Sequence, residues 1–375
     1  MERMTKIVPN DSVKMIPAGR KRRLAAAVAR GGAEALLVTH LADIRYLCGF
    51  TGSNGALLLN GAKATLFTDG RYTTQAHAEV DGAKVVIADK SVALAALEFA
   101  QAEGISRCGF DPTATTVAAL DSLREALAAK MRKTFFVALP GLIAAQREIK
   151  DEVEQERMRD AAALGCRLFD QVLEHIVPGA TEMEVALALE YMARLGGAEA
   201  MSFETIVAGG ERSALPHGRA TMAKIPKRGF VTLDFGVVLN GYCSDMTRTV
   251  HMGPARKGER EVYEAVLDAQ EAGVAAVRAG VTAESVDSAA RSILEAAGLA
   301  GYFTHSTGHG VGIEIHEGPR LGKKQTQKLK SGMVITIEPG VYMPGKFGVR
   351  IEDTVLVTER GCDILTPTPK AWIEL

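Results

Sequence analysis

The sequence predicts an α+β protein of two domains, a smaller α/β domain over residues 1–145 and a larger one over 146–375 built from two similar halves. Three observations carry this. Short strands and helices alternate over the first 140 or so residues. A pattern of two helices followed by a carboxylate-bearing strand pair then occurs twice. The chain is 375 residues long and 47% apolar, enough for more than one packed core.

In the first domain, residues 1–17 read as an irregular lead-in. A basic helix is predicted over 20–30, closed by Gly31 and Gly32. Strands are predicted over 35–39, 56–60, 64–68, 84–88, 107–110 and 134–137, with helices over 92–102 and 115–130. The stretch 46–55 is glycine-rich and reads as a turn. It lacks the Gly-Lys-Ser/Thr ending of a phosphate loop.

The larger domain opens with two capping boxes, Asp151 with Glu154 and Thr181 with Glu184. Leu164, Leu168, Val172 and Ile176 mark one helix face. A strand is predicted over 203–208, and residues 231–250 read as a hairpin. Asn240-Gly241 supplies its turn, because a type I′ turn needs positive φ at both central residues. Leu239 then pairs with Tyr242, and Gly236 faces Asp245. Asp234 falls on the same face, since side chains alternate with period two. The two acids come out as diagonal neighbours, roughly 6–8 Å apart. Buried like charges at that distance cannot both stay ionised without a cation.

The pattern returns with helices over 259–278 and 283–297 and strands over 334–341 and 348–355. Placing TLDFGV over TIEPGV puts Asp234 on Glu338, 104 residues on. Placing GYCSDMT over GVRIEDT puts Asp245 on Glu352, 107 residues on. Two such halves facing each other would bring four carboxylates to one centre.

His305 and His309 stand four residues apart, but Gly308, Gly310 and Gly312 argue against a helix there. His309 is the expected ligand, its glycines letting backbone approach a metal. His305 is expected behind the ligands or in solvent. Asp234, Asp245, His309, Glu338 and Glu352 offer hard oxygens and one imidazole, a set suited to two divalent ions of the manganese or cobalt type. Four carboxylates balance two dications, and a bound hydroxide adds one negative charge. Such a pair activates water and polarises a carbonyl. His217 and His316 are spare imidazoles for an oxyanion or a leaving amine.

Bulk properties exclude several alternatives. The formal net charge of −1 suggests neither nucleic acid nor an anionic membrane as partner. No apolar run reaches the length of a membrane span. Five scattered cysteines with no C-x-x-C fit reduced thiols in a cytoplasm.

The motifs LDFG, SDMTRT, TGHGVG, HEGP, IEPGVY and GVRIEDT, in that order, make the sequence resemble the pita-bread metallopeptidases, in the branch of Xaa-Pro aminopeptidase (aminopeptidase P) and Xaa-Pro dipeptidase (prolidase). Residues 18–140, through IRYLCGFTGSNG and FTDGRY, resemble the creatinase-type N-terminal domain that precedes it. The resemblance implies a pita-bread fold with pseudo-twofold halves and two divalent ions per chain. Manganese is expected first, with cobalt or zinc as alternatives. It implies that Asp234 is bidentate on one ion, that Asp245 and Glu352 bridge, and that His309 and Glu338 hold the second. Glu338 would also take the proton of the attacking hydroxide, His217 and His316 would steady substrate and intermediate, and Arg350 would orient the bridging end. It further implies a homodimer acting on peptides with proline second, with 49–55 and 67–72 near a partner's site or the domain contact. Arg320, soon after His316, is the one visible candidate for holding a free prolyl carboxylate. With no other carboxylate clamp evident, the aminopeptidase is the main expectation and the dipeptidase the alternative. A non-catalytic or creatinase-like relative would have lost metal ligands that this chain keeps.

Overall fold

The structure, a computed structural model, describes residues 19–375; the lead-in expected over 1–17 lies outside them. The chain divides into two compact units, one ending at Arg147 and one running from Glu148 to Leu375.

The first unit is a six-stranded mixed sheet with helices packed on it. The strand order is Lys84–Ile87, Lys63–Thr68, Gly55–Asn60, Ala35–Val38, Cys108–Phe110 and Phe136–Ala138. The central hairpin pairs antiparallel from Gly55 with Thr68 to Asn60 with Lys63. Leu37, Phe67, Leu97 and Phe110 lie in its core. Two predictions needed revision. A helix, Leu41–Cys48, precedes the glycine-rich turn and ends where Gly49 takes φ 81°. The helix expected over 115–130 covers only Val117–Glu125. Arg132 stops it, donating to the Glu125 and Leu127 carbonyls and so satisfying the last turn from outside.

In the second unit both capping boxes form, opening helices Glu152–Val172 and Glu182–Leu195. Leu164, Leu168, Val172 and Ile176 pack with Val231, Leu233 and Val237 of the sheet. The hairpin has the register the turn dictates: Leu239 opposes Tyr242, Phe235 opposes Met246 and Asp234 opposes Thr247. Asn240 and Gly241 have φ 50° and 81°. The second half repeats the plan. Helices Lys257–Ala276 and Ala283–Ala296 lead to strand Val334–Ile337, paired with Asp353–Val357, and to Gly340–Met343, paired with Phe347–Arg350. The fold is the α+β architecture with duplicated halves expected above.

Side chains stitch one half to the other. Thr354 Oγ1 donates to the Asp245 carbonyl at 2.8 Å, and Thr249 Oγ1 to that of Arg350 at 2.8 Å. Behind them Arg248 is fully buried. It donates to Asp353 Oδ1 at 2.8 Å and to the carbonyls of Glu352, Thr366 and Thr368.

Gly236 does more than leave space. A Cβ there would stand 1.8 Å from the Ser244 carbonyl oxygen, which is backbone and cannot swing away. Gly236→Ala should therefore cost roughly 3 kcal/mol or more through forced separation of the strands. Urea unfolding measures this. A loss under about 1 kcal/mol would mean the two backbones are not held at this distance.

Candidate active site

The four acids stand at or just beyond strand ends in the two halves of the unit. Oxygens of Asp234, Asp245 and Glu352 lie within 4.8 Å of one another. His309 Nε2 is 3.6 Å from both Asp245 Oδ2 and Glu338 Oε1. His309 Nδ1 faces the Gly310 carbonyl at 3.0 Å, so donation there turns the lone pair of Nε2 toward the acids. The flanking glycines have a different reason from the one expected. A Cβ on Gly308 would meet the Thr336 carbonyl oxygen at 1.9 Å, and one on Gly310 that of Gly318 at 2.0 Å. They let neighbouring backbone pack closely on the short strand Gly308–Gly310.

Arg350 organises one side. It donates to Asp234 Oδ2 at 2.6 Å, Tyr342 Oη at 2.6 Å and Thr247 Oγ1 at 3.1 Å. Thr247 in turn donates to Glu352 Oε2 at 2.7 Å. Asp234 Oδ1 is buried with no hydrogen-bond partner among the described residues. Burial, together with Glu352, Asp234 and Glu338, pushes Asp245 well above the usual carboxylate range. Burial with Glu338 and Asp234 does the same to Glu352. Burial pushes Glu338 up to about 8; nearby Asp234 adds to this and Arg350 opposes it. Burial lowers His309 to about 4, which keeps its imidazole neutral and able to coordinate. An orphaned oxygen, a neutral imidazole and acids too crowded to ionise together fit divalent cations.

All eight residues singled out from the sequence line one cavity of about 640 Å³: His217, Asp234, Asp245, His309, His316, Glu338, Arg350 and Glu352. Arg320 is also on its wall. The His316 and His309 rings stand 4.5 Å apart, and Lys150 holds the adjacent Glu317 at 3.2 Å. His305 is neither a ligand candidate nor free in solvent: its Nε2 meets Tyr342 Oη at 2.9 Å. Tyr342 and Thr247 were missed by sequence reasoning. Both sit inside motifs already marked, and period two put Thr247 opposite Asp234.

Residues 156–359 match the family described as metallopeptidase family M24, and residues 20–149 match the creatinase/prolidase N-terminal domain. The chain belongs to metallopeptidase family M24. As an M24 metallopeptidase it is an enzyme of the pita-bread fold that uses divalent metal ions. It is 36% identical over 342 residues to the Xaa-Pro dipeptidase of Pyrococcus horikoshii, covering 91% of this chain and 94% of that one. The solved Xaa-Pro dipeptidase from Bacillus anthracis superposes with a TM-score of 0.91 at 38% identity, covering 96% of this chain and all of that one. An X-Pro aminopeptidase from Thermotoga maritima matches with a TM-score of 0.86 at 34% identity, over 93% and 100% of the two chains. Among the described residues no helix is long and apolar enough to cross a membrane.

The shifted acids of the M24 site set a pH dependence. Unfolded, a carboxyl titrates near 3.8 to 4.5; folded and metal-free, Glu338 keeps its proton to about 8, and Asp245 and Glu352 are also raised. The folded state then binds more protons than the unfolded chain, so stability falls as pH rises through this window. Below the ordinary histidine value of 6.5, His305 and His309, both lowered to about 4, act in the opposite sense. The net fall is expected between about pH 6.5 and 8. Chelator-treated protein should melt lower at pH 8 than at 6.5, and added divalent ion should remove the difference. A metal-free melting temperature that stays flat or rises over that span would contradict the assignment.

Proposed function

We propose that the chain is an Xaa-Pro dipeptidase, a prolidase, working with two divalent ions, manganese expected first. The observation that carries this is Arg320 on the wall of the cavity that holds the acids. A dipeptide ending in proline presents a free carboxylate one residue from the scissile bond. An arginine there suits it by charge and by geometry. Arg320, the weaker candidate for a carboxylate clamp in the sequence, lines the same cavity as His316. Peptide relatives named Xaa-Pro dipeptidase support the same substrate class.

In this reading Asp234, Asp245, His309, Glu338 and Glu352 would hold the ions, Asp245 and Glu352 being shared where the acids crowd most closely. Bound divalent ions would supply Lewis acidity to the attacking water and the scissile carbonyl. Glu338, as the carboxylate it would be beside bound cations, takes the water's proton and delivers it to the prolyl nitrogen as the C–N bond breaks. His217 and His316 steady the carbonyl oxygen as charge develops. Arg350 holds Asp234 in place and offsets part of the acidic charge. The prolyl amide has no N–H, so the site needs no acceptor for one. A homodimer and a cytoplasmic location, as read from the sequence, belong to the same proposal. The five cysteines are all free thiols, which suits a reducing compartment. Light scattering tests the dimer.

Rates on Ala-Pro against Ala-Pro-Ala test the substrate. The dipeptide should be preferred, and Arg320→Ala should raise its KM roughly tenfold or more by removing a charge-assisted pair. Faster cleavage of the longer peptide would return the assignment to the aminopeptidase.

Metal analysis with kinetics tests the roles. Chelation should abolish activity and manganese should restore it. Asp245→Ala should lose both metal and turnover. His217→Ala and His316→Ala should keep metal and lose roughly 10²–10⁴-fold in rate. Loss of metal with either histidine would make that residue a ligand instead.

A further inference from the structure

His217 stands at the tip of loop 209–221, which leaves strand Ile206–Gly209 and returns beside it. No hydrogen bond among the described residues fixes the His217 ring, so its position follows from the loop backbone. One carboxylate gathers that backbone. Glu182, in the first turn of helix Glu182–Leu195, is 1% exposed. At the start of the loop the Gly209 N–H donates to its Oε1 at 2.9 Å. At the end, Thr221 donates to its Oε2 from N at 3.1 Å and from Oγ1 at 2.7 Å. Between them Arg212 Nε reaches both oxygens at 3.0 Å, and Arg212 Nη2 donates across the loop to the Arg219 carbonyl at 2.8 Å. On the cavity side Arg350 Nη1 donates to the Pro216 carbonyl at 3.1 Å.

We propose that Glu182 is the positioning residue for His217: it closes the neck of loop 209–221 and so sets where the imidazole stands in the cavity. The inference rests on the reading that His217 acts on the substrate. Its physical basis is loop closure. Ends left free would let the tip wander, whereas four donors on one buried anion hold them without touching the substrate. A glutamine at 182 has the same shape but presents an amide N–H₂ to groups that are themselves donors.

The test compares Glu182→Gln with the parent, both metal-loaded. Hydrogen exchange should speed up in loop 209–221 while bound metal is retained. Unchanged protection of the loop overturns the clamp without reference to activity. On Ala-Pro, kcat should fall roughly 10–100-fold, the order expected when a catalytic group is displaced by about an ångström. Repeated in a His217→Ala background, the same substitution should change kcat by no more than about twofold. An equal loss in both backgrounds means Glu182 does not act through His217, and overturns the proposal. A His217→Ala enzyme with full turnover overturns the reading of the site, while the exchange data still decide the clamp. Thr221→Val removes a single donor and carries the same comparison should Glu182→Gln not fold.

Discussion

Carboxylate oxygens of three acids lie within 4.8 Å of one another in a buried site, and a fourth acid stands 3.6 Å from His309. Their repulsion grows as water is removed, because low polarity strengthens every charge–charge interaction. Much of the second unit acts to oppose it. Asp234 lies within a paired strand, and Asp245, Glu338 and Glu352 each stand next to one, so the backbone on which the acids sit is held by strand pairing. Arg350 neutralises one edge, and Thr247 spans Arg350 and Glu352 with its hydroxyl. The packed helices keep both hairpins from spreading. What remains uncompensated is the attraction for a cation.

The loops around this centre follow a shared rule. Each histidine-bearing segment is tied by a buried carboxylate that takes no part in the cluster. Glu182 gathers the segment of His217. Asp287 accepts from Thr307 N and Oγ1 and pairs with Arg291, which also donates to the His305 carbonyl. Glu317 meets Lys150 beside His316. The backbone under each imidazole is thus held by charge pairs laid behind it.

Much of this was legible in the sequence because the governing rules are local. Asn240-Gly241 selects one turn, the turn selects one register, and period two then places Asp234 and Asp245 on one face. The duplicated motifs extended that logic to Glu338 and Glu352. Local rules end where long-range contacts begin. The helix Leu41–Cys48 was lost in a segment read for its glycines. Arg132 shortens a helix from seven residues away. Tyr342 matters because it meets His305 and Arg350, and Arg320 because the cavity wall passes it. None of these contacts has a spacing that could announce it.

Arg248 gives the two halves a shared fate during synthesis. It belongs to the first hairpin, yet its partners Asp353, Thr366 and Thr368 follow 105 to 120 residues later. A nascent chain that has only the first half exposed carries a guanidinium meant for an interior that does not yet exist. Desolvating it alone would be costly, so the first hairpin has reason to stay open to water until nearly the whole chain has emerged. The acids of that hairpin then wait with it. A complete cation site cannot assemble on the ribosome before Glu352 has emerged, and a chain cut short before Glu338 would have neither the guanidinium's anion nor the second pair of acids.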